Sequence, residues 1–266
     1  MGIDPYDPKK EINKGFLSMP PDRAITGGAD RVLSVLATLA QHDRPLSIAA
    51  LVERTGLAQS TLYRQIALLK RWGFVFEHAG EYGPGPLCLQ LAWGFDQSSF
   101  LVHEAQADMA ALADASGETV GLMAAVKDQA VCLDMVESRH PLRCSFVKGR
   151  GLPLINGASA RSLIAFMPDG KRQSVLHQIA RTIDAATLAA LNAALDDIRA
   201  TGFAVTDGQV DPGVWGVSAP IFQRPQQAVA SLTLMAPSTR AADRAPQLTA
   251  LTVQAAQRIS ARLQSL

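Results

Sequence analysis

The sequence predicts an α+β protein: a helical amino-terminal part closed by a small β-hairpin, then a larger part built on one central antiparallel sheet. Three observations carry this prediction. Three short amphipathic helical stretches lie between Asp30 and Lys70, and Phe74-Val75-Phe76 and Glu81-Tyr82-Gly83 follow them as a β-prone pair. From Thr119 onward apolar runs mix with helical stretches through links mostly of hairpin length, which indicates antiparallel pairing. A final stretch from near Pro246 to Leu266 repeats Leu248, Leu251, Ala255, Ile259 and Leu263 at helical spacing.

Composition narrows the function classes. The 266 residues suffice for two modest domains, and 48% apolar residues supply a core. No run reaches the roughly 18 apolar residues of a membrane span, and no apolar signal region opens the chain. Cys88, Cys132 and Cys144 form no CxxC pair, which fits reduced thiols in a cytoplasmic protein. His42, His78, His103, His140 and His177 are dispersed, so no metal site is expected, and no stretch calls for a cofactor. A net charge of +1 is too near neutral for a protein that coats nucleic acid. Six cations against four acids between Asp30 and Gly80 leave a mild local excess, which a small DNA-reading face can use.

Residues 1–25 carry Pro5, Pro8, Pro20 and Pro21 without periodicity and read as a disordered leader. Asp30 is placed to cap a first helix with Val32, Leu33, Leu36 and Leu39 on one face. His42-Asp43-Arg44-Pro45 breaks it, and Ser47 caps a second helix with Leu51 and Val52 inward. Gly56 can take left-handed backbone without a Cβ penalty, so Thr55-Gly56-Leu57 stops that helix and turns the chain. Gln59-Ser60-Thr61 start a third helix that buries Leu62, Ile66 and Leu69. Its first turn shows Gln59, Ser60, Thr61, Tyr63 and Arg64 outward. Short hydrogen-bonding side chains followed by an arginine suit a helix end that meets base edges and phosphates in a major groove. The alternative is an ordinary helical hairpin with a polar face. Ala79-Gly80 reads as a tight turn, and helices plus hairpin make a winged helix-turn-helix.

Leu87, Leu89 and Leu91 alternate as a strand would, or belong to a helix. Phe100 to Ala115 is an amphipathic helix with Leu101, Ala105, Met109 and Leu112 inward, stopped at Ser116-Gly117. Thr119 to Val126 and Ala130 to Glu137 form a hairpin around Lys127-Asp128-Gln129, and Leu142 to Val147 reads as a third strand. Lys148-Gly149-Arg150-Gly151-Leu152-Pro153 is a loop whose glycines and cations invite a phosphate cradle, but no Lys-Ser/Thr follows as a P-loop needs. Gly157-Ala158-Ser159-Ala160 opens a helix reaching Phe166-Met167. Helices over 174–179 and 185–200 follow, then strands over 203–206, 216–222 and 228–235.

The order Ala29-Asp30-Arg31-Val32-Leu33, Leu46-Ser47-Ile48-Ala49-Ala50-Leu51, Thr55-Gly56-Leu57, Ser60-Thr61-Leu62-Tyr63-Arg64, Gly73-Phe74-Val75 and Tyr82-Gly83-Pro84-Gly85 resembles the start of the IclR family of bacterial transcriptional regulators. Gly157-Ala158-Ser159, Thr201-Gly202-Phe203-Ala204-Val205, Val210-Asp211-Pro212-Gly213 and Ser218-Ala219-Pro220-Ile221-Phe222 resemble its effector domain, so the likeness spans roughly Thr26 to Leu266. The resemblance implies a winged helix-turn-helix over 26–85, a linker helix over 86–99 that contributes to dimerisation, and a GAF-like effector-binding domain over 100–266. The chain departs from the family at Gln59, where a Lys is common, and at Pro84-Gly85, where Leu-Gly is common. The family's ligand contacts fall on Thr206, Gly216, Thr233 and Met235, and several relatives place an acid, a Cys and a Ser at the first, second and fourth of these.

A pocket of this kind has a physical basis in the sequence. The helix opening at Gly157 presents free backbone N–H groups and a positive dipole end, and Gly157 and Ala158 are small enough to admit a carboxylate. Leu142, Phe146, Trp215 and Met235 supply apolar lining, so an aromatic or otherwise bulky carboxylate is expected in place of a two- or three-carbon oxo acid. The plainer alternatives are a tight turn at Gly157 and core filling by Trp215 and Met235. Catalysis is not expected. Ser159, Ser162 and Ser218 lie in no G-x-S-x-G elbow, Asp196-Asp197 lies on an amphipathic helix, and Asp207 and Asp211 fall in a turn.

The expected function is a ligand-responsive transcription factor, activator or repressor. Gln59, Ser60, Thr61, Tyr63 and Arg64 read or grip double-stranded DNA, Arg44 and Ser47 touch phosphate, and His78 brushes the backbone from the wing. A single winged helix covers too little DNA for high specificity, so a homodimer on an inverted repeat, or a pair of dimers, is expected. The rivals are a DNA-tethered enzyme acting on a small organic acid, and a module whose winged helix binds a protein.

Overall fold

The computed structural model describes residues 27–42 and 44–265, so the leader expected over residues 1–25 lies outside the described residues. These residues divide into two compact units that part between Ser99 and Phe100.

In the first unit α1 (Gly28–Ala40), α2 (Ile48–Thr55) and α3 (Gln59–Arg71) close around Val35, Leu39, Leu51, Leu62, Ile66 and Leu69. Burying each such side chain contributes about 1.5–3 kcal/mol. Strands β1 (Leu46–Ser47), β2 (Val75–His78) and β3 (Glu81–Pro84) form an antiparallel sheet in the order β1-β3-β2 and add Val75 and Tyr82 to the same core. The Ser47 hydroxyl accepts the Ala50 N–H at 3.3 Å and caps α2. Gly56 ends α2 at φ 67°. Ala79 and Gly80 both have positive φ, the turn geometry that matches strand twist in a two-residue hairpin. Two expectations fail. Gly27 is the N-cap of α1, and Asp30 sits inside the first turn, where its charge faces the positive end of the helix. Leu33 is 60% exposed while Val35 is fully buried, because apolar residues at 32, 33, 35 and 36 permit two stripes and only packing selects one.

Helix α4 (Pro86–Ser98) settles the ambiguity at Leu87, Leu89 and Leu91 in favour of helix. Proline at the first turn loses no hydrogen bond there and pre-sets φ. None of the described α4 side chains is buried, and Leu89 and Trp93, one turn apart, are 74% and 67% exposed.

The second unit contains α5 (Phe100–Ser116), β4 (Thr119–Val126), β5 (Gln129–Val136), β6 (Gly151–Pro153), α6 (Ala158–Ala165), α7 (Asp169–Ile179), α8 (Ala185–Thr201), β7 (Ala204–Asp207), β8 (Val214–Arg224), β9 (Gln227–Pro237), α9 (Ser238–Ala241) and α10 (Ala245–Gln264). Its six strands are antiparallel in the order β6-β5-β4-β9-β8-β7. Alternation puts Trp215 and Val217 on one face, under α5 and α10, and Gly216 and Ser218 on the other, under α6. The expected strand over 142–147 is irregular. Thr119 Oγ1 donates to the Cys144 carbonyl at 2.6 Å and Arg240 Nη1 to the Leu142 carbonyl at 2.9 Å, so side chains take the place of a ladder. Gly151–Pro153 pairs with β5 instead. Glycine is needed there, since a Cβ on Gly151 would lie 2.2 Å from Gln129 Oε1. Helix α7 starts at Asp169, earlier than expected, because Gly170 and the polar residues after it hide the helical period.

Among the described residues of this unit two carboxylates are buried. Asp108 on α5 accepts hydrogen bonds from Arg258, at 2.5 Å, and Arg262 of α10. Glu118, fully buried between α5 and β4, accepts from Arg240 Nε and Nη2 at 2.7 Å each.

Candidate functional sites: an exposed helix start and a cavity on the sheet

In the first unit the start of α3 stands clear of the core. Gln59, Ser60, Tyr63 and Arg64 are exposed and Thr61 is half-buried, while Leu62, Ile66 and Leu69 are buried beneath them. Gln59 Nε2 donates to Tyr63 Oη at 3.4 Å, and Arg64 has no ion pair among the described residues. Arg44 and Ser47 are exposed at the start of α2, and the Ser47 O–H remains free to donate while its oxygen caps the helix. His78 is exposed at the end of β2.

Two supports were not legible in the sequence. Arg54 Nε donates to His42 Nε2 at 2.8 Å, and His42 Nδ1 lies 2.8 Å from the Thr38 carbonyl, which ties the end of α1 to α2. Lys70 meets Glu77 at 2.5 Å and so fastens the end of α3 to the wing; that hydrogen bond holds the Lys70 ammonium above its ordinary range. Neither pair lies within a single element, so no period within one element marked them.

In the second unit a cavity of about 770 Å³ lies on the Gly216 face of the sheet. Leu142, Phe146, Gly157, Ala158, Thr206, Gly216, Thr233 and Met235 all line it. Trp215 does not. It is buried on the opposite face, one residue out of phase with Gly216, and so is core filling. Sequence reasoning missed Met123, Ala130, Cys132 and Leu152, which strand alternation could have placed had the third strand been set correctly.

The amino end of α6 forms one wall. Gly157 is its N-cap at φ 89°, and a Cβ there would lie 2.7 Å from Val210, so the position tolerates only glycine. Its carbonyl takes the first helical bond, from Arg161 N–H at 3.2 Å, which leaves the N–H groups of the first turn without helical acceptors. Thr206 is 7% exposed beside them, and its hydroxyl has no hydrogen bond among the described residues. Ser159 Oγ lies 3.0 Å from Thr233 Oγ1, which lies 2.9 Å from Ser218 Oγ. The Phe146 ring lies on Gly121, where a Cβ would come within 2.6 Å of it. Burial, with Asp134 nearby, pushes the Cys132 thiol up to about 12, and burial and Glu118 raise Cys144, so both favour the protonated thiol.

Comparison with known proteins gives two family matches: the IclR helix-turn-helix domain over residues 28–77 and the bacterial transcriptional regulator IclR C-terminal domain over residues 97–261. The chain is 30% identical over 220 residues to a protein named as the transcriptional regulator SauR of Cupriavidus necator, covering 80% of this chain and 86% of that one. It is 25% identical over 264 residues to the transcriptional repressor IclR of Escherichia coli, covering 95% and 96%. The crystal structure of an IclR-type regulator from Silicibacter sp. TM1040 superposes with a TM-score of 0.77 at 25% identity, covering 90% of this chain and 96% of that one.

Proposed function

The chain belongs to the IclR family of bacterial transcriptional regulators, and from that premise we propose that it reads an inverted-repeat operator as a dimer, or as a pair of dimers, under the control of a carboxylate ligand. The observation that carries the reading is the cavity walled by the open amino end of α6. Unfilled backbone donors, a positive helix end and the Thr206 hydroxyl converge on apolar space too large for a two- or three-carbon acid. An aromatic or otherwise bulky carboxylate fits that description. In calorimetric titration such acids are expected to bind about tenfold or more tighter than glyoxylate or pyruvate, since each buried methylene adds about 0.8 kcal/mol; the reverse order would sink the ligand class.

On the DNA side, Gln59, Ser60, Thr61, Tyr63 and Arg64 enter the major groove, with Arg44, Ser47 and His78 on the backbone. The uncovered apolar α4 supports dimerisation, because a helix with Leu89 and Trp93 facing water has area to bury against a second copy. Ligand binding then acts on the spacing of two DNA-reading heads, provided the ligand prefers one spacing. Arg64→Ala is expected to weaken operator binding by about 1–3 kcal/mol and to flatten the salt dependence. A gel-shift titration in moderate salt, with an intact repeat and a half-site, reads both this loss and the dimer's preference for the repeat. Unchanged affinity would remove Arg64 from the interface.

The protein is proposed to act without turning over its ligand, in the cytoplasm. Among the described residues the Ser159 and Ser218 hydroxyls bond to Thr233, and Asp196 is paired with Arg172 at 3.1 Å, so neither serine has a carboxylate or histidine against it. Recovery of the bound acid unchanged after long incubation is the matching check.

A further inference from the structure

We propose that the ligand is a straight-chain carboxylate of medium length, its acid group at the start of α6 and its tail lying across β4, β5 and β6. This rests on the reading of the cavity as a carboxylate site and narrows the bulky acids to one shape. The cavity is lined from Thr206 on β7 to Leu152 on β6, so it crosses the sheet from one edge strand to the other. The start of α6 stands over β8 and β9: a Cβ on Gly216 would lie 3.9 Å from that of Ala158, and Ser159 touches Thr233. From β9 to β6 is three strand spacings, ~14 Å at ~4.8 Å each, the reach of a chain of roughly ten carbons.

The strand side chains that floor that arm are apolar, and Arg150, next to β6, lines its end with a partner of its own. Met123 pairs with Cys132 across β4 and β5, and Ala130 pairs with Leu152 across β5 and β6, so the four side chains share one face in succession. None brings a charge. The Cys132 thiol donates to the Asp134 carbonyl at 3.4 Å and asks nothing of a ligand. At the rim, Arg143 and Ser145 are already engaged with Glu137, at 3.3 Å and 2.5 Å, so they call for no second acid group at the far end. Thioether and thiol walls adapt to a flexible chain. A one-ring acid fills the space beside Phe146 and leaves the arm to water.

Calorimetric titration of the full chain with butanoate, octanoate, decanoate and phenylacetate, all below micellar concentration, tests this. Affinity is expected to tighten by roughly fourfold per methylene entering the arm, the ~0.8 kcal/mol of burying one CH₂, and to level off near decanoate, with phenylacetate weaker than octanoate. Ala130→Trp, and independently Leu152→Trp at the sheet edge, are expected to cut decanoate affinity by about tenfold or more while sparing butanoate. Unfolding temperatures near that of the unmodified chain show that each plug leaves the fold standing. Phenylacetate binding tighter than decanoate, a flat chain-length series, or plugs that weaken butanoate and decanoate alike would overturn the tail assignment and leave the carboxylate site in place. Failure of every acid to bind would overturn both.

Discussion

Replacing Glu118 by alanine is expected to destabilise the second unit by about 3–5 kcal/mol, the usual cost of removing one partner from a buried ion pair. The carboxylate is fully buried, and both its oxygens are taken by Arg240. With it gone, a guanidinium only 27% exposed keeps a single hydrogen bond, to the Leu142 carbonyl. The loss should also reach the ligand. Arg240, with Thr119 and Glu137, pins the segment over 142–147, and Leu142 and Phe146 of that segment wall the cavity. Glu118→Gln keeps the shape and one acceptor and is expected to fall between the two proteins. Urea unfolding followed by probes in each unit reads the cost, because two compact units need not unfold together. A loss in the second unit below about 1 kcal/mol would show that Arg240 finds water instead.

How much of this was legible in the sequence depends on the range of the interaction that decides each element. Gly56, Ser47 and Gly117 act on their own neighbours, and the stops and caps they predicted are where they were expected. The stripe of α10 needs only helical period, and Leu248, Ala255, Ile259 and Leu263 are buried as read, with Leu251 half-buried. The third strand was misplaced because apolar alternation over 142–147 is a local signal, whereas the bonds from Thr119 and Arg240 come from residues remote in sequence. Trp215 shows the same limit within the site. Its bulk marked it as lining, yet a period of two makes Gly216 and Trp215 mutually exclusive on one face. The start of α3 was the clearest feature, because exposed polar and buried apolar residues there separate cleanly within two turns.

Asp108→Asn is expected to cost about 2–3 kcal/mol near neutral pH, the scale of losing charge-assisted hydrogen bonds from a buried group. Burial alone would raise the Asp108 carboxyl, but hydrogen bonds from Arg258 and Arg262 outweigh it and hold the group below its ordinary value of 3.8. Glu104, 3.5 Å from Arg262, completes the set of charges around it. The direction fixes the pH dependence. A carboxyl held low in the folded state binds fewer protons there than in the unfolded chain, so its contribution is complete above 3.8 and is lost as the pH falls through the lowered folded value. The stability gap between the two proteins should therefore be constant from neutrality down to about pH 5 and close only in stronger acid. Because Arg258 and Arg262 are 51% and 40% exposed, they rehydrate when the carboxylate is removed, which keeps this cost below that of Glu118→Ala. Denaturant unfolding of both proteins across that range gives the gap directly. A gap that widened on acidification would mean that Asp108 is protonated in the folded chain, and the clamp between α5 and α10 would then be a neutral hydrogen bond and not an ion pair.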